Sequence, residues 1–519
     1  MGKWNNLAVL AALLALPALL ASAAGSKEGA KATAARESDQ ALEISWVGNP
    51  TANMYPEETA YIAQELDKRF HVKLMPVKAN SNKPEEMNRL FASGEIPDHI
   101  LVAQADLARF TQEGLFRQIP EAMLKEVAPT YHERILDNHP SIMKSAYYKK
   151  GGFLALPEGR GEMFPLTAIR TDWLEKVGAT MPADLSDYEE ICRLFAQKDP
   201  DGNGKPDTWG STIATYYDIY NLAAVFGFSL AHGTVKDDSY IPGADGRLIK
   251  AAVSPQYRNL LKYCANLYKK GYIYPNVAVS GKESDSLFTD GNVGIKTYDT
   301  TYFIPKYRPG DWFALTFRKN PNARAAYMSP LKGPGGEEAV YEKQSNVWRY
   351  LCIGKNTSDA KLKKILEIQQ AQLADMTVHN LIWRGTEGVH YSVDEDGMAI
   401  LKKEWSSNEK QAELGVKFFI SNLRYGEQLS LSFGREADVQ NRHQSAYKTV
   451  NQAIPGGTVV KCAVEYGADV KKLEQEFFLN VVAGTWSADT DWDAYVKRCA
   501  AAGGDKITAE VNEIYRKMQ

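Results

Sequence analysis

The chain has 519 residues, with 61 lysines and arginines against 64 aspartates and glutamates, so its formal net charge is -3. This balance implies no polyanionic partner such as a nucleic acid. Hydrophobic residues make up 44% and charged residues 24% of the chain, an ordinary globular composition that excludes intrinsic disorder for its bulk. At about 150 residues per domain, the length predicts roughly three domains or two large lobes rather than one core.

Residues 1–24 have the features of a secretory signal peptide, because Lys3 precedes an apolar run over 7–20 that is followed by small residues. The run is shorter than the roughly 20 apolar residues that span a bilayer. The residue directly after Ser22 is Ala23 rather than a cysteine, which excludes a standard lipid anchor there. Residues 25–40 are predicted to be a flexible spacer. We therefore expect an exported protein, periplasmic or extracellular, that is soluble after cleavage.

Five cysteines are spread along the chain without any Cys-x-x-Cys pair: Cys192, Cys264, Cys352, Cys462 and Cys499. A large exported domain does not need covalent cross-links, so we predict mostly buried thiols rather than disulfides. The spacing does not indicate a zinc site.

The first part of the mature chain alternates strand-like and helix-like patterns. Strands are predicted at 42–47, 72–77 and 99–102, and helices at 57–70 and 84–91. This βαβαβ order predicts an open α/β sheet with helices on both faces, in which ligands lie at the carboxyl ends of the strands. The loop after the first strand, residues 48–55, is therefore expected at the mouth of a site.

Longer helices dominate the remainder of the chain. They are predicted at 172–177, 186–197, 256–270, 362–374 and 471–478. Ser186 and Glu189 have the spacing of a capping box at the start of the second of these helices. Short β-like runs at 293–297 and 347–353 lie between helices, which predicts a second α/β lobe that the chain enters several times.

Residues 199–207, with the sequence DPDGNGKPD, have the pattern of a calcium-binding loop. Oxygen-bearing side chains occupy relative positions 1, 3, 5 and 9, and glycine occupies position 6, where such loops turn sharply. A plain polar turn needs neither this alternation nor three carboxylates. The predicted calcium ligands are Asp199, Asp201, Asn203, the carbonyl group of Lys205, and Asp207. Position 12, usually a glutamate, is Gly210, so we expect a structural calcium ion rather than a sensor.

The sequence gives no positive sign of catalysis. Glu158 with Glu162, or Asp489 with its neighbours, could be imagined as a glycosidase pair, but their spacing shows no such geometry, and solvated charge is the better interpretation. The nucleophile elbow of α/β-hydrolases, the phosphate-binding loop and the zinc-protease motif are all missing. We predict that the chain is not an enzyme.

Aromatic and charged residues in predicted loops are the remaining candidates for binding. Sugar rings have apolar C–H faces and polar rims, so a saccharide site uses flat aromatic walls with charged or amide groups at the edge. Arginine also pairs with a uronate or sulfate through two hydrogen bonds. The candidate ligand-binding residues are Tyr55, Arg160, Glu162, Tyr216, Tyr298, Tyr302, Trp348, Arg384 and His390.

Several segments, in order along nearly the whole mature chain, resemble one protein family. They are residues 90–98 (LFASGEIPD), 114–116 (GLF), 169–178 (IRTDWLEKVG), the loop at 198–207, 388–391 (GVHY) and 492–495 (WDAY). On these motifs the chain is similar to the extracellular solute-binding proteins of ABC importers. The resemblance is to family 1, in the group of alginate-oligosaccharide and lipoprotein-type sugar binders.

This resemblance implies a two-lobed periplasmic-binding-protein clamshell of class II, each lobe a mixed sheet flanked by helices. The N-terminal lobe would contain residues 41–165 and about 310–380, and the C-terminal lobe residues 166–309 and about 381–519. A saccharide would bind in the cleft, a structural calcium ion in the second lobe, and the cargo would pass to membrane permease subunits driven by a separate ATPase. Such a protein is expected to act as a monomer.

The chain departs from its group at two positions. Relatives have an acidic residue after the last aspartate of the calcium loop, whereas this chain has Thr208, and a frequent tryptophan is Thr300 here. The resemblance therefore does not identify alginate as the ligand. We expect capture of an oligosaccharide, with uronate-containing ones among the candidates. The alternatives are a secreted glycan-active hydrolase and a sensory or adhesive glycan-binding protein without a transporter.

Overall fold

The computed structural model describes residues 41–519 apart from gaps at 140–141, 144, 150, 160–164, 215, 231–238, 279–280, 299–311, 334, 344–346, 348, 422, 424–427, 429–430, 433, 435, 452, 455–457 and 459. The predicted signal peptide and spacer lie outside the described residues. Residues 43–519 form one compact unit. None of the helices described here combines the length and the apolar character that crossing a bilayer requires.

The described strands are β1 Leu42–Val47, β2 Val72–Pro76, β3 His99–Ala103, β4 Phe116–Arg117, β5 Ile119–Pro120, β6 Tyr148–Lys149, β7 Gly152–Phe153, β8 Leu156–Glu158, β9 Leu166–Arg170, β10 Tyr240–Pro242, β11 Leu248–Lys250, β12 Ile295–Tyr298, β13 Ala325–Tyr327, β14 Val340–Lys343, β15 Arg349–Gly354, β16 Tyr391–Val393, β17 Ala399–Leu401 and β18 Lys448–Asn451.

The described α-helices are Tyr61–Phe70, Pro84–Ala92, Gln104–Gln112, Glu121–Val127, Pro129–Asn138, Thr171–Val177, Leu185–Gln197, Tyr216–Val225, Pro255–Lys269, Gly281–Asp290, Trp312–Lys319, Asp359–Ala374, Met376–Arg384, Asn408–Leu414, Glu436–Ser445, Lys461–Val482, Trp492–Cys499 and Asp505–Met518.

The predicted βαβαβ order at the start of the mature chain is confirmed, since β1, β2 and β3 alternate with two helices. The first helix begins at residue 61, four residues later than predicted. Residues 57–60 instead form a turn closed by a hydrogen bond from the Ala60 amide to the Glu57 carbonyl, 3.0 Å. Ala60 has an extended ψ of 140° and so cannot belong to the helix.

Strands of the first part of the chain form a mixed sheet in the order β2-β1-β3-β15-β4, with β8 also pairing with β15. β1 and β3 are parallel, whereas β15 runs antiparallel to β3 and β8. A second sheet has the order β12-β9-β13, with both outer strands antiparallel to β9. Strand β15 comes from more than 190 residues beyond β8, so the first sheet is completed by a late return of the chain.

Two large hydrophobic cores lie around these sheets. The first contains Trp46, Phe110 and Tyr131, and the second contains Trp173 and Phe195. Among the described residues the chain passes from the first core to the second between 156 and 166, returns between 341 and 347, and passes over again between 423 and 447. Core residues at 327–341 belong to the second core and those at 382–423 to the first, which differs from the lobe ranges expected from the resemblance. The exact lobe boundaries stay a prediction.

The helix Leu185–Gln197 is capped differently from the prediction. Asp184 is the N-cap, and its carboxylate accepts hydrogen bonds from the amides of Ser186 and Asp187, at 2.8 and 2.9 Å. Ser186 therefore lies inside the first turn, where its hydroxyl cannot serve as the cap. A carboxylate at the N-terminus of a helix also complements the helix dipole.

The cysteine prediction is confirmed. All five cysteines are free thiols, and all except the half-buried Cys462 are buried. Burial raises the pKa of the Cys192, Cys264 and Cys352 thiols, which keeps them neutral. These side chains act as small hydrophobic residues in the cores.

Candidate functional site

Four of the nine candidate ligand residues lie outside the described residues: Arg160, Glu162, Tyr302 and Trp348. Tyr216 is the first residue of the helix Tyr216–Val225, but the described part of the chain does not include its side chain. The other four, Tyr55, Tyr298, Arg384 and His390, are described and lie in two regions of the molecule.

Tyr55 lies in the loop that follows β1, at the carboxyl edge of the first sheet, where the strand order predicted it. Its ring is half-buried against the first core. Its hydroxyl donates a 2.6 Å hydrogen bond to the Glu86 carboxylate, which also accepts from the Asn80 amide, 3.1 Å. Burial and the neighbouring Glu86 raise the pKa of Tyr55. The hydroxyl is therefore fixed within the protein, while the ring lines the surface.

Arg384 and His390 are buried beside the first core. Arg384 donates to the Asn380 side chain at 2.8 Å and to the Ser432 hydroxyl at 3.2 Å. The His390 Nδ1 atom accepts a 2.9 Å hydrogen bond from the Thr386 amide, and burial lowers the pKa of His390. In this conformation both side chains stabilise the chain after the helix Met376–Arg384.

Tyr298 ends β12 in the second sheet, and its ring lies 4.3 Å from the ring of Tyr217, centroid to centroid. The two rings are tilted by 42° and are both half-buried, so part of their aromatic surface faces outward. Tyr217 directly follows the candidate Tyr216 in the sequence. The tyrosine-rich segment that contains it was the signal, but its contact with β12 requires the tertiary fold.

Next to these tyrosines the second lobe contains a buried charged cluster. The Lys296 ammonium donates to the Asp218 carboxylate and the Ser284 hydroxyl, both at 2.7 Å, and lies 3.4 Å from Asp285. The side chains of Lys296 and Asp218 are wholly buried. Burial raises the pKa of Asp285, and Lys296 opposes this rise. Nothing in the sequence marked Lys296, because its partners come from two separate helices.

A second polar cluster lies where β8 and β15 meet, next to the passages of the chain between the cores. Glu158 and Arg349 are cross-strand neighbours. Glu158 is fully buried, which contradicts its interpretation as solvated charge, and it accepts hydrogen bonds from Tyr131, 2.5 Å, and Ser421, 3.3 Å. Arg349 donates to Asn49 at 2.7 Å, and burial lowers its pKa to about 9. Hydrogen bonds offset the cost of burying these polar groups.

The loop at 199–207 folds around the side chain of Asn203. The side-chain nitrogen of Asn203, Nδ2, donates hydrogen bonds to the Asp201 carboxylate at 2.6 Å and to the Asp207 carboxylate at 3.1 Å. Asp199 accepts hydrogen bonds from the amides of Gly202, 3.0 Å, and Gly204, 3.0 Å. Both glycines have a positive φ of 77°, which the sharp turn requires. The predicted oxygen side chains therefore converge on one small region.

The carboxylates of this loop do not by themselves form a metal site. Among the described residues no group of three His, Cys, Asp or Glu side chains is close enough to hold a metal ion. The oxygen set needs the Asn203 side-chain oxygen and backbone carbonyls, which calcium accepts as ligands. The hydrogen bond shared with Asp201 lowers the pKa of Asp199, whereas burial and the same bond raise that of Asp201. Thr208 is buried and donates to the Phe195 carbonyl, 2.8 Å.

Two of the curated proteins that are similar to this chain are named for the sugars they bind. The polygalacturonan/rhamnogalacturonan-binding protein YtcQ of Bacillus subtilis strain 168 is 22% identical over 99% of both chains. The fructooligosaccharide ABC transporter substrate-binding protein FusA of Streptococcus pneumoniae serotype 4 is 25% identical over 52% of this chain and 53% of FusA. Both relatives are named as binding proteins, not as enzymes. No protein-family model matches the chain.

The fold is shared with a solved structure. The alginate-binding protein AlgQ2, solved without its calcium ion, superposes with a TM-score of 0.65 at 18% identity, covering 92% of this chain and 98% of AlgQ2. An alignment of this extent shows that the chain has the two-domain α/β fold of solute-binding proteins. The expected resemblance is thus confirmed over nearly the whole chain: it is similar to the extracellular solute-binding proteins of ABC importers and has their fold.

Proposed function

We propose that this chain is the extracellular substrate-binding component of an ABC importer, and that it captures an oligosaccharide in the cleft between its lobes. The similarity over 99% of the chain to a protein named for binding polygalacturonan and rhamnogalacturonan carries the proposal. A shared fold would not be enough, because one fold hosts many functions. The partners would be separate permease and ATPase subunits, and export would use the N-terminal signal peptide.

The proposed binding mechanism is closure of two lobes that are joined by several segments of the chain. Each lobe would supply part of the site, and contacts that exist only when the lobes close would shift the equilibrium towards the closed form. The permease would then recognise the closed form. The proposed walls of the site remain the predicted ligand residues, among them Tyr55, Tyr298 and Tyr302. The chain would bind its sugar without cleaving it.

Binding and turnover can be tested together. The mature chain is titrated calorimetrically with neutral and uronate-containing oligosaccharides, and each mixture is then incubated and analysed by chromatography. We expect saturable binding of at least one sugar and its full recovery. Steady conversion of that sugar into smaller products would instead support the hydrolase alternative, and failure of every sugar to bind would contradict the proposal.

We also propose that the loop at 199–207 holds a structural calcium ion. Asp199, Asp201, Asn203 and Asp207 would supply side-chain oxygens, and Lys205 its carbonyl oxygen. The convergence of these side chains supports the proposal. The side-chain nitrogen of Asn203 donates hydrogen bonds to the carboxylates of Asp201 and Asp207, so these two acidic groups already face one point that a cation would occupy. The bound ion would neutralise the loop and fix its shape.

Calcium content can be measured directly. We expect mass spectrometry of the native protein to find about one calcium ion per chain, and the double variant Asp199→Asn with Asp201→Asn to lose it. Asp245→Asn is the matched control, because Asp245 lies in a separate exposed turn, where it accepts a 3.0 Å hydrogen bond from the Arg247 backbone amide. An unchanged calcium content in the double variant would refute this assignment.

A further inference from the structure

A groove of about 540 Å³ lies on the first lobe beside the loop that follows β1. Its walls include the aromatic side chains of Tyr55, Tyr61 and Trp405 and the carboxylates of Glu57, Glu409 and Glu413. The carboxyl edge of a parallel strand pair is where ligands bind in open α/β sheets. Only Tyr55 among these residues was a candidate from the sequence.

The aromatic walls of the groove are held in place from behind. The buried His390 ring lies 4.8 Å from the ring of Tyr61 and 5.0 Å from that of Trp405, centroid to centroid. The Tyr55 hydroxyl is fixed by Glu86, so this tyrosine also has a set orientation. All three walls are half-buried against the first core and keep part of their ring surface outside. Fixed, flat rings suit the apolar C–H face of a sugar.

The charged residues that line the groove are all acidic. Its lining includes three glutamates and neither lysine nor arginine. Glu57 pairs with Lys78 at 2.8 Å and Glu413 with Lys410 at 2.6 Å, and both lysines lie outside the lining. Glu409 forms no ion pair within the described part of the chain, and hydrogen bonds from its own backbone amide and Ser407 lower its pKa. Ionised carboxylates accept hydrogen bonds from sugar hydroxyls but repel a uronate carboxylate.

We propose that this groove is a saccharide subsite that takes a neutral sugar unit and discriminates against uronates. The inference rests on the proposed function and deepens it, because it assigns a sugar class and the residues that select it. Trp405 and Tyr61 stack on the sugar ring, Glu409 and Glu413 bind its hydroxyls, and His390 is a positioning residue behind the rings.

Two ligands that share one sugar backbone and differ in charge test the selection. Tetragalacturonate and its fully methyl-esterified form have the same backbone, and cellotetraose and a fructotetraose add two neutral sugars. We expect the mature chain to bind at least one neutral sugar, and to bind esterified tetragalacturonate at least tenfold more tightly than the free acid if both bind. The double variant Glu409→Gln with Glu413→Gln should narrow any difference in affinity between neutral and charged sugars.

Variants of one aromatic wall test the location. Trp405→Ala should weaken the binding of the neutral sugar at least tenfold, and Trp405→Phe, which keeps a ring, should weaken it less. Trp486→Ala is the matched control, because Trp486 is a half-buried tryptophan packed against the second core. Melting temperatures confirm that each variant is folded.

The outcomes separate this inference from the proposed function. If the chain binds a sugar but Trp405→Ala leaves the affinity unchanged, or if tetragalacturonate binds more tightly than every neutral sugar, the groove is not the subsite while the transport role stands. If no sugar of either charge binds to the unmodified chain, the proposed function fails and this inference fails with it.

Discussion

Two groups of carboxylates in the second lobe differ in where their counter-charge comes from. Around Lys296 the protein supplies its own cation, which is wholly buried and 2.7 Å from the Asp218 carboxylate. In the loop at 199–207, Asp199, Asp201 and Asp207 form no ion pair with any described residue; the structure gives them hydrogen bonds from amides instead.

The difference indicates what each cluster can do. Both charges of the buried pair belong to the chain itself, so the pair forms without any ion from solution. An exposed carboxylate loop without an internal cation gains most from an ion taken from solution. The first cluster is therefore expected to be permanent, and the second to depend on the composition of the medium.

The largest expected effect comes from breaking the buried pair. Lys296→Met should lower the free energy of unfolding by about 3–5 kcal/mol, because the Asp218 carboxylate would be left buried without its cation. Urea denaturation followed by circular dichroism measures this loss. Added calcium should not restore the lost stability, and a loss below about 1 kcal/mol would show that Lys296 is dispensable to the core.

Removal of calcium should have the next largest effect. An ion that binds only the folded chain stabilises it by about 2.7 kcal/mol at a concentration 100 times its Kd. We expect a chelator to lower the melting temperature of the native protein and to leave the Asp199→Asn, Asp201→Asn variant unchanged. Identical melting curves with and without chelator for the unmodified chain would contradict a structural role for the ion.

Calcium affinity should depend on pH in the same loop. Burial and the bond to Asp199 raise the pKa of Asp201, and calcium binds only the ionised carboxylates. Affinity should therefore fall as the pH is lowered, by up to about tenfold per unit once the pH lies below that raised pKa, because one proton competes with the ion. Calorimetric titrations at pH 7.5 and pH 5 test this, and Asp201→Asn should flatten the dependence.

The smallest effect is expected at an exposed ion pair of the same lobe. Lys319 contacts Asp290 with 50% and 43% of the two side chains exposed. Lys319→Met should change the free energy of unfolding by less than about 1 kcal/mol, because solvent screens such pairs. The same urea titration measures it beside Lys296→Met. An equal loss in both variants would mean that burial does not explain the contrast.

Local patterns predicted several of the helices and strands of the fold correctly. Helices such as Pro84–Ala92 and Pro255–Lys269 lie within one or two residues of their predicted positions, because apolar spacing and a proline at the first turn mark them in the sequence. The start of the helix Tyr61–Phe70 was wrong, since the acidic residues after Pro56 suit a helix and a turn equally well. No local sequence pattern indicated that β15 pairs with strands of the first sheet.

The candidate site was only partly accessible to prediction. Tyr55 was predicted because it follows a strand, and the calcium loop because its predicted ligands are close in sequence. Trp405 lies about 350 residues after Tyr55. The ring of His390, a predicted ligand contact, packs against Tyr61. Whether a side chain faces a groove depends on its packing partners, and these partners are distant in the sequence.

What the sequence alone determined is local: the α/β alternation, the free thiols, the oxygen pattern of residues 199–207 and the resemblance to solute-binding proteins. Only the tertiary structure decided which charges are buried together and which aromatic rings share a groove. The physical reason is that hydrogen bonds and ring contacts such as those of Lys296 and Trp405 act over a few ångströms. Folding alone brings residues that are distant in the chain within that range.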